Sequence, residues 1–300
     1  VAPSLVRQVN VAIEAMSRIG QSKAARKKTG KKVVGIYHGK TMKNYIGHCC
    51  TFAKWAQKKY GIKMLRELNR EMGGQYFTML KMSNRSPYSM RTIREALLKL
   101  EKGVKVAFHQ NMHVIPKDLE LPQRNLKIRR GRRAYTEEEV NAIITAAMET
   151  NKLAARAIEL QSLFGLRKFE LLNLRKTDIH FQRGKLIVWR GKGGRLREID
   201  IPDKRAEKLL ETLCSGIDEK ALLFSGLTAR RYQAVMEQAC RKAGLAIHKT
   251  HNLRHHFAVK KYNKLLEAGK PAREARRETS QDLGHNRPDV LYSYMQRKPY

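Results

Sequence analysis

His251 and Arg254 stand three residues apart where a helix is expected to begin, so they share one of its faces. Tyr292 and Tyr294 are two apart. On a helix two such residues point about 200° from each other, so only one of them can face a pocket. Guanidinium, imidazole and phenol are parts of a phosphoryl transfer that runs on side chains alone. That reaction takes a nucleophile, cations on the nonbridging oxygens and an acid for the leaving oxygen. Arg is the best oxygen clamp because its fork is planar and always charged, and Lys or His can move the proton. A free tyrosine has a pKa of about 10, so its phenolate is scarce at neutral pH. Cations gathered around a phenol favour the charged form and stabilise a pentavalent transition state.

Other chemistries lack their residues. There is no spaced acidic cluster of the kind that holds Mg²⁺ and no GxxxxGK[ST] phosphate loop. The glycine-rich run Arg190-Gly-Lys-Gly-Gly-Arg195 lies between two expected strands and reads as a hairpin loop. The cysteines Cys49, Cys50, Cys214 and Cys240 have neither CxxC spacing nor histidine-rich surroundings. They read as reduced thiols, and neither a metal nor a cofactor is expected.

The elements that must position these residues are mostly helical. Leu5, Val9, Ala12, Ile13 and Met16 line one side of a short amphipathic helix, followed by a basic arm at Ser22–Lys32. Helices are predicted over Met42–Tyr60 (ended by Gly61), over Leu65–Met82 with a break at Gly73-Gly74, and over Ser86–Phe108 with Pro87 in its first turn. A Thr136–Glu139 capping box then opens a second run of helices: 136–149, 151–164 and 168–175. Strands Leu186–Trp189 and Glu198–Ile201 flank the hairpin loop, and helices return at 203–214, 228–243, 252–268, 271–283 and 287–295. Trp55 and Trp189 are expected to pack in the core or sheet, and His255 and His256 to pack or lie on the surface. The fold class is mainly α with a small antiparallel β-sheet. The expected parts are a basic N-terminal helix and arm (1–32), a helical domain (33–117), a basic linker (118–135) and a second domain (136–300).

Charge points to the partner. Across 300 residues, 62 Lys+Arg face 27 Asp+Glu, a net +35 with a pI near 10.3. Such a balance excludes an ordinary metabolic enzyme and indicates a polyanion. Residues 1–135 carry 30 basic and 7 acidic side chains, residues 136–300 carry 32 and 20. The grip on that polyanion is therefore expected from the first part, as phosphate contacts through Lys54, Lys58, Lys59, Arg85, Arg91, Arg94 and Lys99. It is also expected from the linker, through Arg129, Arg130, Arg132 and Arg133. No run approaches the roughly 20 apolar residues that span a bilayer and no signal peptide is evident, so a cytoplasmic, nucleoid-associated protein is expected.

At this point the residues resemble a family. Phe164-Gly-Leu-Arg-Lys-Phe-Glu-Leu-Leu-Asn-Leu174 resembles the first arginine motif of the tyrosine recombinases, the lambda-integrase-like family. His251-Asn-Leu-Arg-His-His-Phe-Ala258 resembles their HxxR motif, and Leu283-Gly-His285 with Tyr294 nine residues on resembles their final motif. Lys192 resembles the β-hairpin lysine. The elements stand in the family's order. The likeness covers roughly residues 40–300 and is specific from about residue 164.

The resemblance implies a core-binding domain joined to a catalytic domain of the DNA breaking-rejoining fold. Tyr294 is then the nucleophile, leaving a 3′-phosphotyrosyl enzyme and a free 5′-hydroxyl, and religation needs no ATP. Arg167 and Arg254 clamp the scissile phosphate, Lys192 protonates the leaving oxygen, His251 assists proton transfer, His285 hydrogen-bonds the phosphate and Glu170 supports the arginines. The partner is double-stranded DNA at specific sites, bound by a homo-tetramer on two sites, with accessory or directionality proteins possible. The expected use is integration and excision of a mobile element, with chromosome-dimer resolution next. A type IB topoisomerase-like enzyme and a catalytically silent DNA-binding relative are the rival readings. Two features depart from compact family members. The 31 residues from Arg254 to His285 include an added basic stretch at Glu267–Arg277, and six residues follow Tyr294, short for a segment exchanged between protomers.

Overall fold

The computed structural model describes residues 3–30, 32–123, 134–189, 196–247, 249–285 and 287–295. Contacts divide the chain into two compact units, Val1–Lys127 and Ile128–Tyr300. Among the described residues no helix is long and apolar enough to cross a membrane.

In the first unit, α1 (Leu5–Glu14) begins where the Ser4 hydroxyl accepts from the Arg7 amide at 3.3 Å. Its apolar stripe, with Met16 beyond it, is buried against α3 (Gly39–Tyr60) and α5 (Pro87–Phe108). The first helix is thus part of this unit's core, which corrects the expectation of a separate arm over 1–32. The basic stretch after it forms the short α2 (Lys23–Lys28). Gly61 closes α3 at φ +70°, a left-handed position that suits glycine. Ser86 caps α5, and Ile93, Ala96, Leu97, Leu100 and Val104 form its buried face.

The predicted helix over 65–82 breaks earlier than expected. A 3-10 turn covers Leu65–Glu67, and Asn69 then caps α4 (Arg70–Met82) by accepting from the Met72 amide at 3.0 Å. Gly73 and Gly74 lie inside α4, and Gly73 allows a close approach instead of a break. A Cβ there would stand 1.6 Å from the Val114 carbonyl oxygen. Val114 cannot easily yield, because its amide and that of Ile115 donate to the Glu101 carboxylate at 2.7 and 2.9 Å. Alanine gains about 1 kcal/mol of helix propensity, while overpacking against backbone costs about 3 kcal/mol. Gly73→Ala is therefore expected to destabilise this unit by about 2 kcal/mol in urea unfolding. A stabilised variant would mean that propensity outweighs packing at this position.

The first helix of the second unit starts at the expected capping box. Thr136 Oγ1 accepts from the Glu139 amide at 3.2 Å, and the Glu139 carboxylate accepts from the Thr136 amide at 2.9 Å. Helices α6 (Glu137–Thr150) and α7 (Lys152–Phe164) pack on each other and lead to the short α8 (Lys168–Leu172). A three-stranded antiparallel sheet follows: β1 (Ile179–His180), β2 (Lys185–Val188) and β3 (Arg197–Asp200). In it Leu186 faces Ile199 and Val188 faces Arg197. The two-residue β1 is too short to leave a periodic signal in the sequence. Trp189, just past β2, is 54% exposed, which corrects the expectation that it packs. Trp55 does pack, tilted against Tyr76 at 5.1 Å.

The remaining helices are α9 (Lys204–Cys214), α10 (Ala229–Lys242), α11 (His251–Glu267), α12 (Ala272–Asp282) and α13 (Val290–Tyr294). The core gathers Ile143, Ala147, Ile158, Phe164, Leu171 and Met236, and α11 crosses α7 and α12. The added stretch at 267–277 spans the end of α11, a turn at Gly269 and the start of α12, with Arg273 and Arg277 exposed.

Candidate active site

Arg167 is placed by the end of α7. Gly165 stops that helix at φ +59°, and a Cβ there would meet the Phe257 ring at 2.3 Å. Gln161 Nε2 donates to the Leu166 carbonyl at 2.8 Å, while Tyr232 Oη on α10 donates to Gln161 Oε1 at 2.6 Å. The turn so held presents Arg167 at the head of α8, with its side chain one-fifth exposed.

Three segments bring the other groups to it. Arg254, in the first turns of α11, is wholly buried. Its Nε donates to Tyr294 Oη at 3.2 Å, Nη1 donates to the Gly165 carbonyl, and Nη2 donates to the Leu283 carbonyl. Nη2 also lies 3.3 Å from His285 Nε2. Arg167 Nη2 reaches the same Leu283 oxygen at 3.4 Å, so one backbone carbonyl draws both guanidinium groups together. Gly284 turns the chain at φ +66° directly after Leu283, and His285 Nε2 then stands 3.0 Å from Tyr294 Oη. The tyrosine is seated in a small apolar cluster with Phe257, Leu283 and Leu291.

His251 is exposed at the start of α11, with its ring centroid 6.0 Å from that of Tyr294. Tyr292 lies elsewhere on α13, where the Arg276 guanidinium covers its ring at 5.4 Å. One chain thus brings Arg167, Glu170, His251, Arg254, His285 and Tyr294 together. Lys192 lies outside the described residues.

Electrostatics separate the two arginines. Arg254 meets two carbonyls, a hydroxyl and an imidazole among the described residues, all uncharged acceptors or dipoles when the imidazole is neutral. Burial pushes its guanidinium down to about 10, still cationic at neutral pH. Arg167 instead has a carboxylate. Glu170 Oε1 accepts from Arg167 Nη1 at 2.6 Å, and Oε2 accepts from its amide at 2.8 Å. Burial works against ionisation of Glu170, but hydrogen bonds and charge from Arg197 and then Arg167 hold it at about 2. The carboxylate therefore stays ionised through the neutral range. It supports Arg167 and does not touch Arg254, so the expected support of both arginines is narrowed to one.

Two neighbours of the site were not anticipated as such. Arg197 on β3 donates to both Glu170 oxygens. It shares the inward phase of its strand with Ile199, and a cation in an apolar phase is the sequence signal for a buried partner. His255 is buried, as a packing residue, with its ring 4.6 Å from the Tyr294 ring. His256 packs too, its Nδ1 2.8 Å from the Tyr135 carbonyl oxygen.

In the first unit, Lys54 and Lys58 on α3 and Arg91 on α5 are exposed. Arg94 is partly buried and paired with Glu95 at 3.0 Å. Lys99 donates to the Val34 carbonyl, which takes one of the three donors of its ammonium. Arg129, Arg130, Arg132 and Arg133 lie outside the described residues. All four cysteines are free thiols. Among the described residues no three His, Cys, Asp or Glu side chains gather as metal ligands would.

The chain was compared with known proteins. The model of the phage integrase family matches residues 133–298, more than half of the chain. Tyrosine recombinase XerA of Thermococcus kodakarensis is 32% identical over 145 residues, 46% of this chain and 50% of that protein. Its namesake in Pyrococcus furiosus is 34% identical over 136 residues, 42% of this chain and 47% of that protein. The chain thus spans about half the length of the curated relatives it matches. Among solved structures, a lambda integrase tetramer bound to a Holliday junction gives a TM-score of 0.70 at 16% identity, covering 99% of this chain and 78% of that one. A XerH site-specific recombinase bound to a palindromic difH substrate gives 0.65 at 16% identity, covering 97% and 91%. At these identities the structures establish a shared fold.

Proposed function

The chain belongs to the phage integrase family, and from that premise we propose that it cuts and rejoins double-stranded DNA at specific sites through a phosphotyrosine intermediate. The observation that carries this reading is the seat of Tyr294, whose hydroxyl lies 3.2 Å from Arg254 Nε and 3.0 Å from His285 Nε2. A buried cation that meets only dipoles among the described residues is poised for an anion, and beside a phenol that anion fits a phosphodiester.

The reaction follows from these positions. Tyr294 Oη attacks the scissile phosphorus. The Oη–P bond forms, the bond from phosphorus to the 5′ oxygen breaks, and a 3′-phosphotyrosyl link and a free 5′-hydroxyl remain. The phenol proton passes to an imidazole, with His285 in direct reach and His251 beside it. Arg254 and Arg167 take the nonbridging oxygens, where charge accumulates. Lys192 supplies the leaving oxygen's proton, an assignment that rests on the family resemblance. The reverse attack by a 5′-hydroxyl reseals DNA without an outside energy source. The basic first unit, with Lys54, Lys58 and Arg91, grips the backbone, and a tetramer on two sites exchanges the strands.

The test begins by mapping covalent attachment across the source genome. On a nicked suicide substrate carrying the mapped site, the protein should form a denaturant-resistant adduct on the 3′ phosphate. It should leave a supercoiled plasmid without that site unrelaxed. Relaxation of any plasmid would identify a topoisomerase instead. Tight binding without an adduct would identify a silent DNA-binding relative.

A further inference from the structure

We propose that Arg197 is a positioning residue for strand cleavage: it fixes Glu170 so that Glu170 holds Arg167 against the scissile phosphate. The proposal rests on the recombinase reading above. Arg197 Nη1 donates to Glu170 Oε1 at 3.1 Å and Nη2 to Oε2 at 2.7 Å, a fork-to-fork pair with side chains 7% and 5% exposed. The same two oxygens accept from Arg167 Nη1 and the Arg167 amide. The carboxylate is therefore bound on both oxygens from two sides. One side is rigid strand and the other is the residue expected to meet the substrate. A bidentate pair fixes orientation as well as charge.

The rest of Arg197 is walled in. A Cβ on Gly284 would lie 3.0 Å from its Nη1 and 3.3 Å from its Cδ, so the backbone just before His285 rests against this side chain. Asp282, paired with Lys261, adds its field from the end of α12. Among the described residues Arg197 Nε is buried without a hydrogen-bond partner, a desolvation cost that an apolar pair would not carry. The guanidinium thus sits where Glu170 and the turn before His285 need it, behind Arg167. It braces two of the segments that form the site, and it stands five residues beyond Lys192 in the sequence.

The experiment measures adduct formation and site affinity on the mapped suicide substrate for Arg197→Met, Arg197→Lys, Glu170→Gln and the Glu170→Gln/Arg197→Met double variant. Arg197→Met is expected to slow cleavage about 100-fold, the scale of a 1 Å misplacement of a reacting group. Its site affinity should hold within about threefold, and the double variant should be within about threefold of the slower single variant. Arg197→Lys keeps the charge without the fork and should regain no more than about tenfold of the loss. Multiplying losses in the double variant would mean that Arg197 acts without Glu170, and an unchanged rate would mean that the pair serves the fold alone. Either result overturns the proposal. If Arg197→Met loses its cooperative melting transition, Glu170→Gln/Arg197→Lys replaces the double variant and the same comparison decides. Absence of an adduct from the unaltered protein would instead remove the recombinase reading itself.

Discussion

Tyr294→Phe is expected to abolish covalent attachment to DNA, lowering adduct formation by more than about 10⁴-fold, as loss of a nucleophile does. The substitution removes one oxygen and leaves the ring in its cluster with Phe257, Leu283 and Leu291. Stability should therefore change by only about 1 kcal/mol, the scale of one hydrogen bond, and site binding should persist. Tyr292→Phe is the matched control. Its hydroxyl is not among the groups that meet Arg254 and His285, and its ring lies beneath Arg276, so cleavage should stay within about threefold of the unaltered protein. Denaturing gels on a nicked substrate read both. An adduct from Tyr294→Phe with none from Tyr292→Phe would reassign the nucleophile.

Arg254 carries the second large effect. Its guanidinium serves the Gly165 and Leu283 carbonyls and the Tyr294 hydroxyl at once, from a fully buried position. An ammonium cannot reach three such acceptors, because its donors spread from one nitrogen. Arg254→Lys should slow cleavage by about 10³-fold, in the range for losing one preorganised donor to a transition state. Arg254→Met should slow it at least as much. Non-specific DNA binding should hold within about tenfold for both, since most phosphate contacts are expected from the basic first unit. Filter binding and single-turnover cleavage separate the two quantities. Cleavage by Arg254→Lys within tenfold of the unaltered rate would show that charge alone suffices and that the fork is not used.

What could be read from the sequence was local. Thr136 with Glu139, Ser86 with Pro87, and Gly61 each act within one helical turn, so the helix ends they mark stand where expected. The apolar stripes of α1, α3 and α5 were visible for the same reason, since each needs only its own 3.6-residue period. The break near Asn69 was misplaced because two glycines look like a helix stop in isolation. Gly73 serves a neighbour 41 residues away, and only the packed chain displays that neighbour.

The same division holds at the site. Order and spacing of Arg167, His251, Arg254, His285 and Tyr294 were enough to propose a chemistry, because a motif is a set of residue types at fixed separations. The convergence of two guanidinium groups on the Leu283 carbonyl was not contained in any motif. Nor was the contact of Arg254 with Gly165, 89 residues apart, or that of Arg197 with Glu170, 27 apart. Such pairs form only after helix and strand have packed, and their partners include backbone carbonyls that every residue possesses. By itself the sequence determined the helical class, the basic excess of the first 135 residues and the residue types from which a phosphoryl-transfer site is proposed. The tertiary structure decided which arginine is held by a carboxylate and which, among the described residues, meets dipoles, because burial and charge pairing are properties of contacts between distant segments.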